Sequence, residues 1–121
     1  LVETALTLEY LAGESAGQCG VCAFGLSATS SEFSALANMH SDHDRVERLQ
    51  QQLAAIPRRG GCSMPDGAVR MAQSALSVFA DEVQEHLSGH CTATHPLPAG
   101  KWTPVPTPRS HPVVGQGRRF A

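Results

Sequence analysis

Over the first ninety positions apolar side chains return every three or four residues and never settle into an every-second-residue rhythm. A chain patterned in this way buries its apolar surface as helix faces, so the sequence predicts an all-α body. Leu1, Ala5, Leu8 and Ala12 predict a helix over 2–12, with Gly13 as its stop. Phe24, Leu26, Phe33, Leu36 and Met39 predict a second over 23–39, weakened by the Ser and Thr residues at 27–34. Ser41 serves as the expected N-cap of a third helix, with Asp42 and Asp44 where the helix dipole favours acid; Val46, Leu49, Leu53 and Ile56 share its face and Pro57 ends it. Pro65 beside Asp66 opens the fourth and longest, which carries Val69, Ala72, Leu76, Phe79, Val83 and Leu87 before Gly89. Four amphipathic helices with one stripe each bury those stripes against one another, which predicts a small four-helix bundle.

The charge distribution divides the chain. Residues 1–91 hold all 11 acidic groups and five of the nine basic ones, whereas 92–121 hold only Lys101, Arg109, Arg118 and Arg119. The net charge of -2 therefore conceals an acidic body and a basic end. Six of the eight prolines (Pro96, Pro98, Pro104, Pro106, Pro108 and Pro112) fall in that end, where each removes a backbone donor and disfavours helix in the residue before it. Residues 1–91 are thus expected as the bundle, and 92–121 as an extended proline-rich tail. The tail is read as solvated, with ordering along an acidic partner surface through Trp102 and Phe120 as the second reading.

No run reaches the roughly 18 apolar residues of a membrane span, and Leu1-Val2-Glu3-Thr4 does not open a signal peptide. A cytoplasmic location is expected, with any membrane association made through a larger complex, and no nucleic-acid partner. The chain opens without Met and inside a helical pattern, which suggests a piece of a longer polypeptide.

Chemistry is concentrated in the cysteines. Cys19 and Cys22 form a C-x2-C in a glycine-rich break, and Cys62 occupies the next such break, Arg58-Arg59-Gly60-Gly61-Cys62. All three are expected near helix starts, where unpaired N–H groups and the positive dipole end favour thiolates or a negative cluster. A thioredoxin-type pair needs a βαβ setting that the helical pattern denies. Zinc held by Cys19, Cys22, Cys62 and one histidine suits these residues, as does an iron–sulfur cluster. Spacing alone leaves both open.

The segment Glu14-Ser15-Ala16-Gly17-Gln18-Cys19-Gly20-Val21-Cys22-Ala23-Phe24-Gly25 resembles the E-S-C-G-x-C-x-x-C-x-x-G stretch of the NADH-binding flavoprotein subunit of respiratory complex I and of related diaphorase subunits. In that family a last cysteine follows by about forty residues at the start of the final bundle helix, where this chain has Cys62. The resemblance covers roughly residues 2–90. It implies a helical domain holding an iron–sulfur cluster, a 4Fe-4S centre first and a 3Fe-4S centre second, on Cys19, Cys22 and Cys62. It also implies electrons arriving singly from an NADH-reduced flavin and leaving to another iron–sulfur or ferredoxin-like carrier. FMN and NADH are expected in a preceding domain or a partner subunit, and the domain alone is not expected to be catalytic.

Where the family has its first cysteine this sequence has Ala16. Cys91 is a lesser candidate for the vacant ligand, because about 20 residues of straight helix, on the order of 30 Å, would separate it from Cys62. Glu14, Ser15, a histidine of the 40–43 loop, water, a partner's side chain, a three-iron cluster or an empty site are the other options. The last of these supports an alternative function, a structural zinc or metal-free interaction module that has lost redox activity. His40, His43, His86 and His90 are expected to be exposed helix-end residues, although His86, His90 and Cys91 have a spacing able to bind adventitious metal. Arg58 and Arg59 are read as a solvated pair, with influence on a cluster's potential as the second reading.

Overall fold

Phe33 and Leu36 on one helix, Leu8, Leu26, Leu49 and Leu53 on its neighbours, and Ala68, Val69 and Ala72 opposite them are all but completely buried and form one continuous core. The computed structural model that shows this describes residues 1–92. Its elements are α1 (Val2–Glu14), a π-helical turn (Val21–Leu26), α2 (Ser27–Ala37), α3 (His43–Ala55), α4 (Met64–Val78) and α5 (Ala80–Leu87), so the described residues are all-α. The calls on 93–121, Trp102 and Phe120 among them, lie outside the described residues.

Helix α2 is central and touches α1, α3, α5 and the π turn, while α4 closes the other side against α1 and α3. Its exit is a tight reversal: the Met39 N–H donates to the Leu36 carbonyl at 3.1 Å and the His40 N–H to that of Ala35 at 2.8 Å, with Met39 at φ 60°. This is the paired-bond helix ending usually built on glycine. The same ending recurs after α5, with Gly89 at φ 79° and the His90 N–H donating to the Glu85 carbonyl at 2.9 Å.

Three expectations change. The α3 cap is Asp42, whose carboxylate accepts the Arg45 N–H at 2.7 Å, and not Ser41, because one more residue of extended chain is needed to clear the α2 exit. Arg45 then joins the two helices, its guanidinium donating to Glu32 at 2.9 Å and to the His40 carbonyl at 2.9 Å. The expected second helix is two pieces, since its first turn is wound as a π-helix. The expected fourth helix is also two, α4 and α5, which meet at Phe79.

No proline or glycine causes the break at Phe79, and the hydrogen-bond ladder continues across it through Phe79 to Ala75 and Val83 to Phe79, both at 2.9 Å. Its reason is tertiary. The bend carries Val83 and His86 into the core, at the cost of leaving Phe79 43% exposed where the stripe had placed it inside. His86, expected exposed, is 2% exposed, with Nδ1 at 3.1 Å from the Leu36 carbonyl and Nε2 at 3.7 Å from Glu82. A helix-end histidine here fills the junction of α2 and α5, whereas His40, His43 and His90 are exposed as expected.

Candidate functional site

Helix α1 ends in a way that starts the site. Its last carbonyls are partly satisfied by Ser15, whose hydroxyl donates to Ala12 at 2.9 Å while its backbone turns extended. Gly17 at φ 61° then reverses the chain, a conformation that suits a residue without Cβ, and brings Cys19 back over the end of α1. The Cys19 carbonyl accepts the Ala23 N–H at 3.0 Å, and the π turn begins at Val21 with Cys22 as its second residue.

π-Helical turns widen the backbone and leave carbonyls off the usual ladder, and they concentrate at functional sites. Here the Gly25 carbonyl is met from α3 by the Gln52 side-chain amide at 3.1 Å. The space beside Gly25 is filled by Ile56, 3.4 Å from where a Cβ would stand, so the turn is packed from below. Cys22 is 8% exposed and Phe24, two residues on, is 78% exposed.

The second loop is held by the start of α4. Asp66, in the first turn, accepts the Arg58 N–H at 3.0 Å and fixes Arg58 at φ 63°. Gly60 lies so close under Pro65 that a Cβ there would stand 2.9 Å from the ring and 3.2 Å from the Cys62 carbonyl. Cys62 follows, exposed, one residue before the α4 cap Ser63.

The two loops meet in one pocket of about 420 Å³. It is lined by the 14–19 segment together with Cys22, Gly61, Cys62 and Met64. Cys19, Cys22 and Cys62 therefore share a cavity although 40 residues separate the last two. Cys91 is exposed beyond α5 and is not among the lining residues; His40 and His43 do not line the pocket either.

Electrostatics distinguish the thiols. The backbone N–H of Gly61 pulls the Cys19 thiol below its ordinary pKa, with the N–H groups of Cys22 and Val21 acting in the same direction. Burial pushes the Cys22 thiol up, and neighbouring Cys19 and Cys62 add to that. A donor from one loop thus stabilises a thiolate on the other, the contribution of Gly61 that sequence reasoning did not assign. Its signal was the Gly60-Gly61 pair ahead of Cys62, where a backbone without side chains can approach sulfur.

Among the described residues, no three Cys, His, Asp or Glu side chains are grouped tightly enough to hold a single ion. Three soft thiols facing one cavity, with peptide donors directed at sulfur, fit a larger thiolate-bound group. The adventitious site read at His86, His90 and Cys91 is not formed, because His86 points into the core.

A family model described as the NADH-ubiquinone oxidoreductase-F iron-sulfur binding region matches residues 3–86. No curated protein matches the chain.

Proposed function

The chain belongs to the family of NADH-ubiquinone oxidoreductase-F iron-sulfur binding regions, the 4Fe-4S binding part of an NADH-oxidising subunit, and on that premise we propose that it is an electron-transfer module carrying one cluster on Cys19, Cys22 and Cys62. The observation that supports this is the convergence of those three thiols from two loops on one pocket. A cluster bound there accepts and releases single electrons. The chain's own residues do the rest. The Gly61, Cys22 and Val21 amides lower the Cys19 thiol's pKa and so favour its thiolate, and the same donors favour the more negative, reduced state of whatever the sulfur binds. Burial of Cys22 keeps water from one side of the pocket, while the exposed Cys62 leaves the other side near the surface, where a partner carrier can approach.

In this reading the donor is a flavin reduced by NADH on a preceding domain or partner subunit, and the acceptor is another iron–sulfur or ferredoxin-like centre. The bundle of 1–91 is the functional unit in this reading. No described helix is long and apolar enough to cross a membrane.

The second reading is a structural zinc or metal-free interaction module; Ala16 supplies no ligand, and the metal-free form agrees with the lack of a three-ligand group among the described residues. Anaerobic purification decides between them. Brown protein with iron and acid-labile sulfide in near-equal amounts supports the cluster, and colourless protein with one zinc or no metal overturns it. Cys62→Ser is expected to abolish the cluster and Cys91→Ser to retain it; the reverse result refutes the ligand assignment.

A further inference from the structure

A pocket with three thiols is one terminal ligand short for a [4Fe–4S] cluster, which takes four. Building on the assignment of Cys19, Cys22 and Cys62 as ligands, we propose that the Ala16 wall of the same pocket receives an external thiolate that completes the set.

The remaining lining residues argue against an internal donor. The Ser15 hydroxyl is engaged with the Ala12 carbonyl at 2.9 Å, where it closes α1. Met64 is half-buried against the core and offers only an uncharged thioether. Glu14 sits on the last turn of α1, whose carbonyl end disfavours further negative charge, and its hard oxygens match iron–sulfur ligation poorly. Ala16 has no donor side chain. His40, His43 and Cys91 do not line the pocket.

The wall is also accessible. Ala16, Gly17 and Gln18 are exposed, and a Cβ placed on Gly17 or on Gly61 meets nothing within 4 Å. The Gln18 amide donates to the Ala16 carbonyl at 3.4 Å, an exposed contact that a donor of a few heavy atoms arriving from solvent can displace. Arg58 and Arg59, in the loop that carries Cys62, are exposed and positively charged. A soft, slender, monoanionic donor meets these conditions, and a thiolate is the chemistry already present at the other three positions. Ligation is a substitution in which a sulfur lone pair forms the new bond, a solvent molecule leaves, and no electron changes hands.

The source of the thiolate is either a small thiol or a protein cysteine such as Cys91 of a second copy. The full chain is loaded anaerobically with isotopically enriched iron and sulfide, stripped of small thiols, and read by Mössbauer spectroscopy. For a small-thiol source, about one iron in four gives a distinct signal. Added 2-mercaptoethanol merges that signal with the others in a saturable way. For a Cys91 source, the distinct iron appears only in Cys91→Ser and then responds to thiol. In either case Ala16→Cys shows no distinct iron and no response. Equivalent irons in both the native chain and Cys91→Ser, a distinct iron indifferent to thiol, or a three-iron cluster that added ferrous iron does not complete would each overturn the proposal while leaving the three-cysteine assignment standing. A chain that takes up no iron overturns both.

Discussion

Single residues around the pocket act through the backbone as much as through sulfur. Cys19 is a stronger thiolate site than Cys22 because Gly61 donates to it, whereas Cys22 is buried beside two other thiols. In the metal-free protein, alkylation of Cys19 is therefore expected to set in at lower pH than that of Cys22, as followed by peptide mass spectrometry. A reversed order would remove the Gly61 donor from the account. Gly60 makes no contact with sulfur, yet it fixes where Cys62 stands. Gly60→Ala forces the Pro65 ring or the loop to move and is expected to cost about 1–3 kcal/mol, measured as a lowered urea midpoint together with faster iron release. Unchanged stability would mean that the loop yields without strain.

At the scale of elements, what matters is how ends are joined. The fold uses the same paired-bond ending after α2 and after α5, once with Met39 and once with Gly89. The π turn between Cys19 and α2 is stabilised from α3 by Gln52 and Ile56, so the geometry of the first loop depends on a helix thirty residues away. The bend at Phe79 depends on His86, which fills the space between α2 and α5 and meets the Leu36 carbonyl. His86→Ala opens a cavity and removes one of two groups that meet that carbonyl, the Met39 N–H remaining, at an expected cost of about 2–4 kcal/mol in urea unfolding. A cost under about 0.5 kcal/mol, the range of ordinary surface substitutions, would mean that the bend does not need His86.

For the molecule as a whole, the site is assembled from two loops at one end of the helices, and whatever occupies it ties α1, the π turn and α4 together. A group bound only by the folded state raises stability by mass action, about 4 kcal/mol when its concentration exceeds the dissociation constant a thousandfold. Chelation of iron under anaerobic conditions is thus expected to lower the melting temperature of the native chain and to leave that of Cys62→Ser unchanged. Equal melting before and after chelation would place the bound metal elsewhere. The helical class, the span of α3, the two loops and the cysteines they carry were legible in the sequence, because apolar periodicity and glycine-rich breaks are local properties. The splitting of the last helix, the burial of His86 and the π winding at Cys22 were not, because each is imposed by a residue distant in sequence: Leu36, Gln52 or Ile56. The sequence by itself determined which thiols exist, their spacing and the alanine at position 16. Only the tertiary structure decided that Cys62 joins Cys19 and Cys22 while Cys91 does not, since closing a 40-residue separation requires packing of α1, α2 and α4 on a common core.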